Sequence, residues 1–118
     1  MHVLITGAAG MIGRKLLDRL ARDGGLNGKA IDKLTLTDIV PPQAPKGLTT
    51  NVVSKTADLS GAGVAEDLVK DRPDVIFHLA AIPSGGSETD FEAGYRSNLD
   101  GTRNLLEAVR KTGNGYKP

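Results

Sequence analysis

Two kinds of hydrophobic pattern alternate along the chain. Val3–Thr6 and Asp74–Leu79 are short runs that are apolar on both faces, as buried parallel strands usually are. Leu34–Thr37, which is closed by Asp38, predicts another strand, and Asn51–Ala57 predicts a weaker one. The sequence therefore indicates about four strands.

Between these strands, apolar residues recur at helical spacing. The first predicted helix follows a glycine-rich turn, keeps its apolar residues on one face and ends at Gly24. A short helix is expected over residues 63–70. A long last helix is expected to begin with Thr89 as its cap and to end near Gly113.

The remaining segments are expected to be loops. They are residues 24–30, interpreted as an insertion, the proline-rich residues 41–45 and the flexible residues 83–87. Strands that alternate with helices imply a parallel sheet, right-handed crossovers and helices on both faces. The predicted fold class is therefore α/β, with a doubly wound parallel sheet ordered 3-2-1-4 and no domain boundary inside residues 1–118.

The segment Thr6–Gly13 carries the strongest chemical signal. It reads TGAAGMIG and joins a predicted strand to a predicted helix, which favours a Rossmann-type dinucleotide site over a glycine-rich turn without a ligand. Gly10 would let the backbone approach a pyrophosphate, and free N–H groups with the helix dipole would face it. The cofactor-binding residues expected here are Gly7, Gly10, Met11, Ile12 and Gly13.

Asp38, at the carboxyl end of the second strand, is expected to bind the adenosine ribose. Its alternative role is to begin a turn. A carboxylate there favours NAD over NADP, whereas Arg14, directly after the glycines, could instead contact a 2′-phosphate or lie on the solvated face of a helix.

Composition narrows the classes of function. Fifteen basic and 14 acidic side chains give a formal charge of +1, so neither nucleic acid nor an anionic membrane is indicated as a partner. The absence of cysteine excludes disulfides, thiolate catalysis and cysteine metal sites, and it fits a cytoplasmic protein. No apolar run approaches the roughly 20 residues of a membrane-spanning helix. No metal site is expected.

These motifs resemble the extended short-chain dehydrogenase/reductases, the NAD-dependent epimerase/dehydratase family. Asp58-Leu59 resembles the pair whose carboxylate meets the adenine amino group, although an Asx turn is an equal alternative. His78 begins a segment that resembles the family's H-x-A-A motif, in which the backbone lies beside the cofactor and the histidine is structural. The resemblance thus implies cofactor contacts at Leu79, Ala80 and Ala81.

Two further positions follow from the same resemblance. Asn98 begins an N-x-x-G-T pattern, and the resemblance implies that this asparagine helps to organise the active site next to the cofactor. The alternative is that Asn98 occupies an ordinary helix position. Ser84 lies in a loop that could approach the substrate, or that could be only a flexible linker.

The family's catalytic pair is a tyrosine followed four residues later by a lysine. Tyr95 has Leu99 in the lysine position, and Tyr116 lies two residues from the last residue, so no catalytic residue is assigned. Residues 1–118 are therefore expected to be an incomplete NAD-binding Rossmann domain that lacks the catalytic and substrate-binding half. The chain alone is expected to be inactive.

Three functions remain open. The first is a dehydrogenase that uses NAD to oxidise a small sugar acid to its 2-keto acid, the enzymes to which the resemblance is strongest. Such a full-length enzyme could be a homodimer. The second is a nucleotide-sugar epimerase or dehydratase of the same superfamily. The third is a non-catalytic NAD-binding module.

Overall fold

A parallel four-stranded sheet forms the centre of the structure, a computed structural model that describes all residues from Met1 to Pro118. The strands are β1 (His2–Thr6), β2 (Gly25–Leu26), β3 (Lys29–Ala30), β4 (Lys33–Asp38), β5 (Asn51–Thr56) and β6 (Val75–His78). The helices are α1 (Met11–Asp23), α2 (Val64–Val69), α3 (Ser84–Thr89), α4 (Phe91–Tyr95) and α5 (Gly101–Thr112). The sheet order β5-β4-β1-β6 confirms the predicted topology and the α/β class.

Helices cover both faces of this sheet, which explains why its central strands are apolar on both sides. One core packs α1 against the sheet through Val3, Ile5, Leu17, Leu20, Leu34 and Leu36. The opposite core packs α2 and α5 through Leu4, Leu68, Val69, Leu105 and Ala108. Each fully buried aliphatic side chain stabilises the fold by about 1.5–3 kcal/mol. None of the helices combines the length and the apolar character that a membrane crossing requires.

The expected loop at residues 24–30 is instead a short antiparallel hairpin of β2 and β3. Asn27 and Gly28, at its tip, both have positive φ values, 51° and 78°. That is the backbone of a type I′ turn, whose twist suits a two-residue hairpin loop. Gly24, in the left-handed region, ends α1 as predicted.

The last third of the chain also differs from the prediction. The expected flexible loop at residues 83–87 largely falls within the short helix α3, and Thr89 is that helix's last residue. The cap of the following helix is Asp90, whose side chain accepts a hydrogen bond from the Ala93 N–H. From there α4 runs through a π-helical turn, Arg96–Asp100, into α5, which ends at Thr112 with Gly113 as its cap, close to the predicted end.

Candidate functional site

A cleft of about 270 Å³ opens where the carboxyl ends of β1, β4, β5 and β6 meet. Its wall contains the following predicted cofactor residues: Gly7, Gly10, Asp38, Asp58, Leu59, Leu79, Ala80 and Ala81. Ligands of open parallel sheets bind at this edge, because the loops that follow the strands converge there.

The three glycines of the turn have three different environments. Gly7 has φ +71°, and a Cβ atom there would lie 2.6 Å from the Leu79 carbonyl carbon. A Cβ atom at Gly13 would lie 2.3 Å from the Gly7 oxygen, so this glycine lets α1 pack on the turn. Gly10 has ordinary extended angles, φ −73° and ψ 172°, and a Cβ there would approach only the Gly7 oxygen, at 3.3 Å. Only Gly10 therefore keeps open space in front of the backbone.

The amino terminus of α1 has one anionic neighbour, Asp38, whose carboxylate accepts the Ala9 N–H just before the helix at 2.9 Å. No side chain caps the helix, and its first turn, where Met11 and Ile12 are exposed, contains no acidic residue. Met11, Ile12 and Gly13 follow Gly10, which lines the cleft, but they are not themselves part of its wall. The N–H groups of this turn and the helix dipole suit an anion.

A buried hydroxyl on the cleft wall is also without a partner. Thr37 is 2% exposed, and its Oγ1 atom makes no hydrogen bond. The open space before Gly10 fits a polar, phosphate-bearing ligand.

Asp38 is held at the end of β4 by two backbone N–H groups. Oδ2 accepts a hydrogen bond from Ala9 at 2.9 Å, which ties β4 to the glycine turn, and Oδ1 accepts one from Ile39 at 2.7 Å. A carboxylate has about four acceptor positions, so each oxygen can still accept a hydroxyl. Arg14 lies on the exposed side of α1.

Asp58 adopts the turn that was its alternative interpretation. Its Oδ1 atom accepts hydrogen bonds from both the N–H and the hydroxyl of Ser60, at 2.9 and 2.8 Å, an Asx-type arrangement. Asp58 and Leu59 nevertheless line the cleft. The Oδ2 atom has no hydrogen-bond partner, so the turn leaves one carboxylate oxygen free.

Asn98 does not line the cleft but holds a residue that does. From the π-helical turn, its Oδ1 atom accepts the Ile82 N–H at 2.7 Å and its Nδ2 group donates to the Ile82 oxygen at 2.9 Å. Both backbone groups of one cleft residue are thereby fixed. Ser84, the candidate substrate residue, is exposed at the start of α3 and is not part of the cleft wall.

His78 lies on β6 behind the cleft, half-buried. Its ring nitrogens are hydrogen-bonded to Thr6 and Thr102, each at 2.8 Å. Burial lowers the pKa of the imidazole below its usual value. The ring therefore bridges β1 and α5, as expected of a structural residue.

Sequence patterns missed several residues of the cleft wall. Among them are Thr37, Ile39, Val40, Ala57, Ile82 and Ser97. Ile39 and Ala57 directly follow strands β4 and β5, so the rule that ligands lie at the carboxyl ends of strands could have found them. Ser97 had no such signal, since it depends on how the last helix crosses the sheet.

Comparison with known proteins points in the same direction as this geometry. The sequence profile of the NAD dependent epimerase/dehydratase family matches residues 3–116. D-erythronate dehydrogenase from Cupriavidus necator is 44% identical over 117 residues, which is 96% of this chain and 36% of that protein. The chain thus spans about a third of this curated relative.

Two solved structures from Agrobacterium tumefaciens are similar to the chain. One is described as a nucleoside-diphosphate-sugar epimerase; it has 57% identity and a TM-score of 0.97 over all of this chain and 35% of that one. The other is uronate dehydrogenase in complex with NAD, with 31% identity and a TM-score of 0.65 over 93% of this chain and 36% of that one.

Proposed function

Since the chain belongs to the NAD dependent epimerase/dehydratase family, as its motifs indicated, we propose that it is the NAD-binding portion of an oxidoreductase acting on a sugar acid. The proposed reaction oxidises D-erythronate, or a closely similar acid, to its 2-keto acid. The observation that carries this proposal is the similarity to D-erythronate dehydrogenase over nearly the whole chain. NAD is the family's cofactor, which confirms the cofactor predicted from the glycine turn.

In this proposal the cleft holds the cofactor along its length. The uncapped end of α1 and the open space before Gly10 would take the pyrophosphate, and Asp38 would accept the ribose hydroxyls. The free oxygen of Asp58 would face the adenine amino group. The backbone of Leu79–Ala81 would lie beside the other half of NAD. When bound, NAD supplies the hydride acceptor, and these residues position it.

We further propose that the general base lies outside residues 1–118. Tyr95 has Leu99 where a tyrosine–lysine pair would need its lysine, so it does not fit that role. A substrate hydroxyl without a base loses about 10²- to 10⁴-fold in rate. The chain alone is therefore expected to bind NAD but to show no dehydrogenase activity.

A second function is favoured by one observation, the likeness to a structure described as a nucleoside-diphosphate-sugar epimerase. The two functions differ in what they do to NAD, because oxidation of a sugar acid accumulates NADH. Epimerisation of a nucleotide sugar leaves the cofactor unchanged overall.

The test supplies the complete protein with D-erythronate and NAD and follows NADH formation, with UDP-glucose as the comparison substrate. Formation of NADH with the acid supports the main proposal, and conversion of UDP-glucose without NADH would replace it by the second. NAD binding with neither activity, in a complete protein without a Tyr-x-x-x-Lys pair, would support a non-catalytic NAD-binding module.

We also propose that the complete protein is a cytoplasmic homodimer that associates through the outer face of α4 and α5. Four large apolar residues of this helical run are about half to two-thirds exposed, namely Phe91, Tyr95, Leu99 and Leu106. The run also carries exposed charges of both signs, among them Glu92, Arg96 and Arg103, and Arg110 is paired with Glu107 on the same helix. Two copies that pair through this face would bury the apolar residues.

A further inference from the structure

A continuous set of hydrogen bonds runs behind the cleft and joins four parts of the fold. Thr6, at the end of β1, contacts Nδ1 of His78 on β6, at 2.8 Å. Nε2 of His78 contacts the hydroxyl of Thr102 on α5, also at 2.8 Å. The Thr102 hydroxyl donates in turn to the backbone oxygen of Asn98 in the π-helical turn, at 2.9 Å.

The direction of each hydrogen bond follows from counting protons. Thr102 has one hydroxyl proton, and it is used on the Asn98 oxygen, so towards His78 this hydroxyl can only accept. Nε2 of His78 must therefore carry a hydrogen. In a neutral ring Nδ1 is then an acceptor, and the Thr6 hydroxyl donates to it.

The Thr6 hydroxyl oxygen also accepts hydrogen bonds, and the donors are backbone N–H groups of the cleft wall. Its Oγ1 atom accepts the Ala80 N–H at 3.3 Å, and at 3.2 Å it shares the Leu79 N–H with the Thr6 backbone oxygen, which lies at 3.1 Å. Thr6 is fully buried and directly precedes Gly7. At the other end of the network, the Asn98 side chain fixes both backbone groups of Ile82. The wall between residues 79 and 82 is thus held from both ends.

We propose that His78, as the neutral Nε2–H tautomer, is a positioning residue that locks the cleft wall at residues 79–82 against the glycine turn. It acts through Thr6 on the Ala80 amide and through Thr102 and Asn98 on Ile82. It does not itself line the cleft. That the locked wall faces NAD rests on the proposed function.

Thr102→Val tests the proposal, because it removes the hydroxyl that fixes the tautomer while keeping the size of the side chain. Thr112→Val is the matched control: Thr112, also on α5, donates an equivalent hydrogen bond to the Ala108 oxygen at 2.9 Å without touching a histidine. Thr102→Ser restores the hydroxyl. Nitrogen-15 NMR of the 118-residue chain reports the His78 tautomer, and amide hydrogen exchange reports the cleft wall.

The unaltered chain is expected to carry the hydrogen on Nε2. In Thr102→Val the tautomer should no longer be fixed, and the amides of Ala80 and Ile82 should exchange about fivefold faster, the effect of losing one hydrogen bond. NAD binding should weaken by a similar factor. Thr102→Ser should recover all three properties, and Thr112→Val should change none of them.

Two results would overturn the proposal. One is a hydrogen on Nδ1, or an imidazolium, in the unaltered chain at neutral pH. The other is equal acceleration of exchange at Ala80 and Ile82 in both valine variants. Because these readouts need no ligand, failure of the unaltered chain to bind NAD would contradict the proposed function while the role of His78 is judged on the tautomer and the exchange rates.

Discussion

Replacing Gly10 by valine should separate NAD binding from folding. The backbone at Gly10 has φ −73° and ψ 172°, which valine adopts without strain. A Cβ atom there meets only the Gly7 oxygen, at 3.3 Å, and the position is exposed. The added methyl groups would instead occupy the space before the backbone, which we assign to the pyrophosphate of NAD.

The sizes of the two effects differ widely. Hydrogen bonds to a charged group contribute about 1.5–3 kcal/mol each, so losing one or two of those to the pyrophosphate weakens binding by about 100-fold. The tight contact with the Gly7 oxygen costs at most about 1 kcal/mol and is offset by the smaller entropy of the unfolded chain. The melting temperature should therefore fall by less than about 4 °C.

Gly13→Ala is the matched control, because its Cβ atom would meet backbone rather than open space. The atom would lie 2.3 Å from the Gly7 oxygen and 2.8 Å from the Ala8 Cα, so α1 would have to move away from the turn. Overpacking of this kind costs about 1–3 kcal/mol, which should lower the melting temperature by about 4–12 °C.

Calorimetric titration with NAD and thermal unfolding of the same samples measure both quantities. Gly13→Ala is expected to lose thermal stability and NAD affinity together. If Gly10→Val did the same, glycine would be required at position 10 for the backbone conformation and not for NAD binding. If Gly10→Val bound NAD as the unaltered chain does, the pyrophosphate would not lie before Gly10.

Three further outcomes are expected. Asp38→Ala should reduce the preference for NAD over NADP by about tenfold or more in paired titrations, because the carboxylate repels a 2′-phosphate; an unaltered chain that prefers NADP would refute this. Burial lowers the pKa values of His2 and His78, so the unfolded chain binds more protons below about pH 6.5. The free energy of unfolding by urea should therefore fall as the pH drops from 7.5 to 5.5, and a flat profile would contradict it. Phe91→Glu should convert the complete protein from dimer to monomer in size-exclusion chromatography, and a persistent dimer would exclude that helical face as the interface.

Much of the fold could be predicted because its central strands are buried on both sides. Apolar runs such as Val3–Thr6 report that burial directly, and alternation with helices then leaves few topologies. The hairpin was missed although Asn27-Gly28 is a strong turn signal, because β2 and β3 have two residues each and show no alternating pattern.

The last helical region was less predictable because local sequence does not decide it. Gly85-Gly86 favours a loop, yet this segment forms α3, which packs on α4 where Gly94 admits Ser87: a Cβ atom at Gly94 would lie 2.6 Å from the Ser87 hydroxyl. Thr89 and Asp90 are both good caps, and only the structure shows that Asp90 is used. Tertiary packing outweighs propensity in such short helices.

In the candidate site, too, some residues could be predicted from local sequence, whereas others depend on tertiary contacts. The glycines and Asp38 were recognisable because their chemistry requires those residue types at the end of a strand. The environment of Asp58, in contrast, depends on its neighbour Ser60, and the roles of Thr6 and Thr102 depend on contacts between distant elements.

Mapping NAD onto the chain by NMR chemical-shift changes tests the central claim most directly. The amides of residues 7–13, 38–40 and 79–82, which surround the cleft, should shift on addition of NAD. Those on the exposed side of α5, at Arg103 and Arg110, should not. Shifts that cluster instead in the separate cavity between β6 and α5, around Ile76 and Val109, or no shifts at all, would contradict the placement of NAD in the cleft.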